Sequence, residues 1–322
     1  MEGLKFFAAW LSVHKGKIGL TVLAFIGFLV VLFPFDDLSD LVSREVAKAT
    51  QNQVFIQFDK MELSLLSGAG IALENVIVET GKLPAIRAQE LQLTPSLGGL
   101  LSGNPAGSVE ALGLMGGEVS ASLGSGGVSE KGNDRKKLDF SAENLSLDEL
   151  RKLGNVPVAL QGKLNLTSQA LADLTFTEQP EADIQLSIKD FVVPPANIRT
   201  AIDTIGISGF KLQGIDLKGR LADGLFLIED GRIGKEGDEI KGTIKGRMGL
   251  QLKNQNGKIS QVLGGYNLEI DLIVKKSFQE REKLLLFLLE AYKQPAGPDA
   301  DRYAVKISAN NPFLPPSIGA LR

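Results

Sequence analysis

Along most of the chain, apolar residues recur at every second position. Val54, Ile56 and Phe58 alternate with polar neighbours, as do Met61, Leu63 and Leu65. Ile71 and Leu73 continue the alternation, Val76 and Val78 resume it one residue out of phase, and Leu91 and Leu93 follow. A period of two places one set of side chains on a single face of a strand, and the slip at Glu74–Asn75 has the form of a β-bulge. Gly68–Ala69–Gly70 and Gly81–Lys82–Leu83–Pro84 separate these runs as turns. Beyond a polar, glycine-rich stretch at 124–137, alternation returns at Leu138 and Phe140, Val158 and Leu160, Leu164 and Leu166, and Ile184, Leu186 and Ile188. A further block runs over 210–274, with turn signals at Asp223–Gly224, Asp230–Gly231 and Asn256–Gly257. A last strand is predicted over 303–308.

The helical period is rarer. Leu38, Leu41, Val42 and Val46 form one stripe within 37–51. Ser146-x-x-Glu149 reads as a capping box for a helix ending near Gly154. Pro195 suits a first helical turn, with Ile198, Ala201, Ile202 and Ile205 on one stripe. Ser277-x-x-Glu280 opens a fourth segment that is apolar nearly all round through Leu284–Leu289, suited to burial or to plugging one end of a sheet. The predicted class is mainly β: a long curved antiparallel sheet or sandwich with a few short amphipathic helices, preceded by one N-terminal transmembrane helix. With so few helices to cover it, the sheet must curl, pair with a second sheet or present a groove. Stretch 124–137 reads as a mobile loop or as a divide between two halves.

The transmembrane expectation rests on residues 18–35, which carry no charge. Eighteen helical residues rise about 27 Å, close to the hydrocarbon thickness of a bilayer. Lys5, Lys15 and Lys17 precede the run and Asp36 and Asp37 follow it. The positive-inside rule then leaves a cytoplasmic stub at 1–17, an anchor at 18–35 and an exported body at 36–322. The run exceeds the apolar core of a signal peptide, and no small-residue cleavage site follows it.

Composition removes several functions. The chain has one histidine, His14, and no cysteine, so disulfides, thiol nucleophiles, His/Cys metal sites and histidine-based triads are not available. No phosphate-cradling Gly-x4-Gly-Lys-Ser/Thr motif occurs. A net charge of −3 gives no cationic footprint for nucleic acid. Glu236/Asp238 and Glu229/Asp230 read as solvated turn charges. No catalytic, metal or cofactor site is therefore predicted. The alternating set Ile71, Leu73, Leu91, Leu93, Leu164, Leu166, Ile184, Leu186, Ile188, Ile215 and Leu217 lines either a closed core or an open groove.

Residues 61–123 carry a cadence of their own. MELSLLSGAGIALENVIVE is followed by LPAIRAQELQLTPSLGGLLSGNPAGSVEALGLMGGEVSASL. This resembles the type II secretion system protein N (GspN) family, and more distantly AsmA-like proteins, which share an A-x-x-L-x-L…SL-x-x-LL-x-G rhythm. The resemblance implies a bacterial inner-membrane protein with a periplasmic β-domain, partnered by other secretion-system subunits. Its AsmA-like side implies an apolar groove for phospholipid. It supplies no catalytic residues.

Overall fold

A computed structural model describes residues 39–64, 70–81, 83–104, 106–199, 204–255 and 258–321. Segment 18–35, with Lys5, Lys15, Lys17, Asp36 and Asp37, lies outside the described residues. Among the described residues, no helix is long and apolar enough to cross a membrane.

The strands are β1 (Val54–Gln57), β2 (Lys60–Ser64), β3 (Gly70–Thr80), β4 (Ile86–Pro95), β5 (Gly107–Leu114) and β6 (Gly117–Val128). Next come β7 (Asp134–Ser146), β8 (Gln161–Ala172), β9 (Glu181–Val193), β10 (Ala196–Arg199), β11 (Thr204–Ile207) and β12 (Phe210–Ala222). Last are β13 (Leu225–Ile233), β14 (Ile240–Gln255), β15 (Lys258–Lys275), β16 (Lys293–Pro295), β17 (Ala300–Ala309) and β18 (Ser317–Ala320). All but β10 and β11, which pair with each other, join one antiparallel meander in the order β1-β3-β4-β5-β6-β7-β8-β9-β12-β13-β14-β15-β17-β16. β2 also borders β3 and β18 also borders β17, so each outer long strand is covered by two short ones. Short outer strands leave little free backbone to template unwanted pairing.

Helix α1 (Ser39–Ala49) lies against β1, and α2 (Leu97–Ser102) fills the β4–β5 connection. Helix α3 (Leu147–Leu153) links β7 to β8. After β15 come α4 (Lys276–Arg281), α5 (Lys283–Leu286) and a 3-10 segment, Phe287–Tyr292.

One sequence feature recurs across the first half of the sheet. Asn75, Gly113, Asn144 and Asp190 all have positive φ, between 51° and 72°. Glycine adopts that region freely, and Asn and Asp tolerate it. Each resets the alternation: Ile71 and Leu73 give way to Val76, Phe140 and Ala142 to Leu145, and Leu186 and Ile188 to Phe191 and Val193. The apolar side chains thus stay on one face while the strands bend. Asn75 donates to the Asp59 carboxylate at 2.9 Å, and Asn165 Oδ1 accepts from the Asn144 amide at 3.0 Å.

Several expectations need correction. Residues 124–137 are strand over most of their length, and only 129–133 form the turn between β6 and β7. The stripe through Ile198 and Ile205 is not a helix but the β10–β11 pair, in which Ile198 lies opposite Ile205. Its β-branched content explains the outcome. Asp230–Gly231 is a bulge inside β13 rather than a turn. The helix expected from Ser277 starts one residue earlier and breaks at Glu282, whose buried carboxylate accepts the Ser208 amide at 2.7 Å. Neither predicted capping box forms: Ser146 sits at the N-cap without a side-chain bond, and Ser277 donates instead to Glu239. Asp223–Gly224 does close the β12–β13 hairpin, with both residues at positive φ.

Candidate functional site

Cross-strand registers turn the alternation into continuous rows. One row runs Leu73, Leu91, Ala111, Val119, Ala142, Leu166, Leu186, Leu217, Gly231, Ile244, Ile270 and Val305. A second runs Ile71, Leu93, Val109, Ala121, Phe140, Ser168, Ile184, Gly219, Ile228, Gly246, Leu268 and Ile307. A third joins Leu145, Leu164, Ile188, Ile215, Ile233, Gly242, Leu272 and Tyr303. At a strand spacing of about 4.8 Å, these rows make an apolar band roughly 50 Å long.

All eleven positions singled out from the sequence fall in the three rows. Only Leu73 is fully buried, at 2% exposure; the other ten are partly exposed. Ala111, Val119, Ile244, Ile270 and Val305 extend the first row beyond those positions, and the same period of two marks them.

Clusters of large buried side chains seal the band near its ends, while between them Ala111, Ala142 and Leu145 are buried and most other row positions are partly exposed. Near its start, Met61, Leu73 and Val76 form a core with Val42 of α1, Ile56 and Phe58. Near its finish, Val274, Phe278, Leu286 and Tyr303 form a second core with Phe210, Ile240 and Leu272. Phe210 meets Phe278 edge-on at 5.7 Å between ring centres. Tyr303 is fully buried, and burial raises the pKa of its hydroxyl, which hydrogen-bonds Gln279. A fully buried leucine contributes about 1.5–3 kcal/mol, so the partly exposed leucines between the cores leave part of that stabilisation unrealised.

The opposite face is polar. Glu74, Glu90, Glu118 and Glu143 occupy one row on β3, β4, β6 and β7, and Glu110 lies beside it on β5. A hydrogen bond with Glu110, then burial and the repulsion of that carboxylate, raise the pKa of Glu118. Across β8, β9, β12 and β13, Asn165, Thr167, Gln185, Ser187, Asp216, Lys218, Asp230 and Arg232 line a hollow of about 320 Å³ that Leu166, Leu186 and Leu217 also border. Asp230 pairs with Arg232 at 3.1 Å, and Glu236 with Lys241 at 2.8 Å. Asp238 accepts the Gln213 and Lys235 amides. Among the described residues, no group of three or more His, Cys, Asp or Glu is placed to hold a metal ion.

The β8–β9 connection ties distant parts of the sheet together. Asp173, 4% exposed, accepts from the amides of Thr175 and Thr177 and from both threonine hydroxyls, at 2.5–3.0 Å. Burial pushes its pKa upward, but these hydrogen bonds outweigh it and hold the carboxyl well below the usual range. Gln179 then bonds both the amide and the carbonyl of Leu252, and Glu178 accepts from Ser129.

The family model described as "Type II secretion system protein GspN-like, Synergistales" matches residues 13–200. No curated protein and no solved structure matches the chain. The matched region ends just after β10, while the meander continues unbroken from β9 into β12 and on to β17. A match over more than half of the 322 residues settles the relationship: the chain belongs to the GspN-like family of type II secretion proteins.

Proposed function

We propose that the chain is a non-enzymatic component of type II protein secretion, anchored in the inner membrane by residues 18–35 with its sheet in the periplasm. There it acts as a scaffold or interaction module for other subunits of the machinery. Family membership carries this reading. Lysines before the apolar run and aspartates after it support the orientation. The two short strands covering each outer long strand leave little backbone for strand addition, which favours contact through α1 or a sheet face. Affinity capture from cross-linked envelopes should recover secretion-system subunits. Recovery of none, together with normal export in a deletion strain, ends this reading.

A second reading has its own observation: a band of partly exposed apolar rows between two sealed ends. Such a face suits the acyl chains of phospholipid. Native mass spectrometry of the protein should then show bound lipid that Leu166→Asp or Leu186→Asp removes without unfolding the sheet. A lipid-free spectrum for the wild type would leave the scaffold reading alone.

A further inference from the structure

The connections between strands are not alike at the two ends of the sheet. At one end lie the β4–β5, β6–β7, β8–β9, β12–β13, β14–β15 and β17–β18 connections. Five of them present a large apolar side chain to water in or beside the turn. These are Leu101 (91% exposed), Val128 (71%), Leu174 (44%), Leu225 (49%) and Phe313 (82%). The β14–β15 hairpin is the exception: it continues past the level of the β12–β13 turn, where the Leu250 amide bonds Gly224, and its Leu252 and Asn254 are hydrogen-bonded to Gln179 and Thr175 of the β8–β9 connection. At the other end, among the described residues, Phe55, Leu83, Val156 and Phe287 are exposed.

Consecutive hairpins are two strands apart, which spaces these tips by about 10 Å along the rim. Polar turn residues separate them, so they make a line of single side chains rather than one continuous patch. A protein partner would need a matching pocket for each tip, whereas a bilayer interface takes up separate apolar side chains without shape complementarity.

Charge at the same end points the same way. On the polar face, Gly249 and Gly265 lack side chains and leave a hollow of about 440 Å³ bordered by Leu225, Arg247, Asn267 and Lys306. A Cβ on Gly265 would stand 2.8 Å from the Ala309 carbonyl oxygen, so the gap is not easily filled. Among the described residues, neither Arg247 nor Lys306 has an ion-pair partner. The nearby acids are Glu269, paired across strands with Lys306, and Asp223 in the β12–β13 turn.

We propose that this rim docks on an anionic lipid bilayer, with the apolar tips entering the interface and the Arg247–Lys306 hollow taking a lipid phosphate. The surface is separate from the apolar rows and from residues 18–35, and it does not require the rows to hold lipid.

The absence of cysteine makes the test direct. Single replacements Leu101→Cys, Val128→Cys, Leu225→Cys and Phe313→Cys take an environment-sensitive fluorophore. Leu83→Cys, Val156→Cys and Phe287→Cys report on the other end. The full chain, held in phosphatidylcholine nanodiscs, is mixed with vesicles of phosphatidylcholine with or without phosphatidylglycerol. Emission should shift to the blue at the four rim positions only, and most with phosphatidylglycerol. Changing all four rim residues to Ser should lower co-flotation by at least about tenfold, and Arg247→Ala with Lys306→Ala should abolish the phosphatidylglycerol preference. These side chains are exposed or border an open hollow, and circular dichroism confirms that each variant is folded. No shift at the rim, equal shifts at both ends, or a shift only when envelope proteins are added would each overturn the proposal.

Discussion

Replacing Asp173 by Asn tests whether the β8–β9 connection is a clamp held by one buried carboxylate. Asp173 accepts two backbone amides and two hydroxyls. The amide of Asn keeps the shape but removes the charge and turns an NH2 group toward donors. Hydrogen bonds to a charged group contribute about 1.5–3 kcal/mol each, and losing a pair of acceptor positions here should cost about 2–3 kcal/mol net at neutral pH. The pH dependence has a fixed sign. The folded pKa lies below the unfolded value of about 3.9, so the native state binds fewer protons and this stability is fully present above that value. It is lost as pH falls through the folded pKa. Urea unfolding followed by far-ultraviolet circular dichroism, for wild type and Asp173→Asn across a pH series, isolates the group. Asp271 and Glu239, lowered by Arg302 and Arg281, titrate identically in both proteins and cancel in the difference. The gap should be wide at neutral pH, begin to narrow below about pH 4, where the unfolded carboxyl takes up its proton, and close as the pH falls through the lower folded pKa. A gap that is absent at neutral pH, or constant down to the lowest pH, refutes the clamp.

Two further outcomes follow from the uneven burial and the bends. Leu73→Ala, in the sealed end, should cost about 2–5 kcal/mol in urea unfolding, whereas Leu186→Ala, partly exposed, should cost clearly less because no closed cavity forms; equal costs would mean that the middle rows are packed. Asn144 sits at φ 57°, so Asn144→Gly should leave stability nearly unchanged while Asn144→Val should cost about 1–2 kcal/mol or more, read from thermal midpoints.

The period-two pattern made the sheet legible because each strand buries or half-buries only one face. Helix 39–49 was readable from its apolar stripe, and Asp223–Gly224 from its tolerance of positive φ. The β10–β11 pair was not, because Ile198, Ala201, Ile202 and Ile205 fit a helical stripe and only the strand preference of β-branched residues spoke against it. The break at Glu282 was illegible for another reason: it depends on Ser208, 74 residues away. The row of bends is written in the sequence, as Asn75, Asn144 and Asp190 each separate two apolar runs out of phase. Whether the rows form a core or an open face depends on what lies above them, which periodicity does not encode.

The account depends most on the middle of the apolar band being open to water. Leu166→Cys, Leu186→Cys and Leu217→Cys, each alone in the cysteine-free chain, should react with a small water-soluble thiol reagent far faster than Leu73→Cys in the sealed end. Reaction as slow at those three positions as at residue 73, in protein free of lipid, would contradict it.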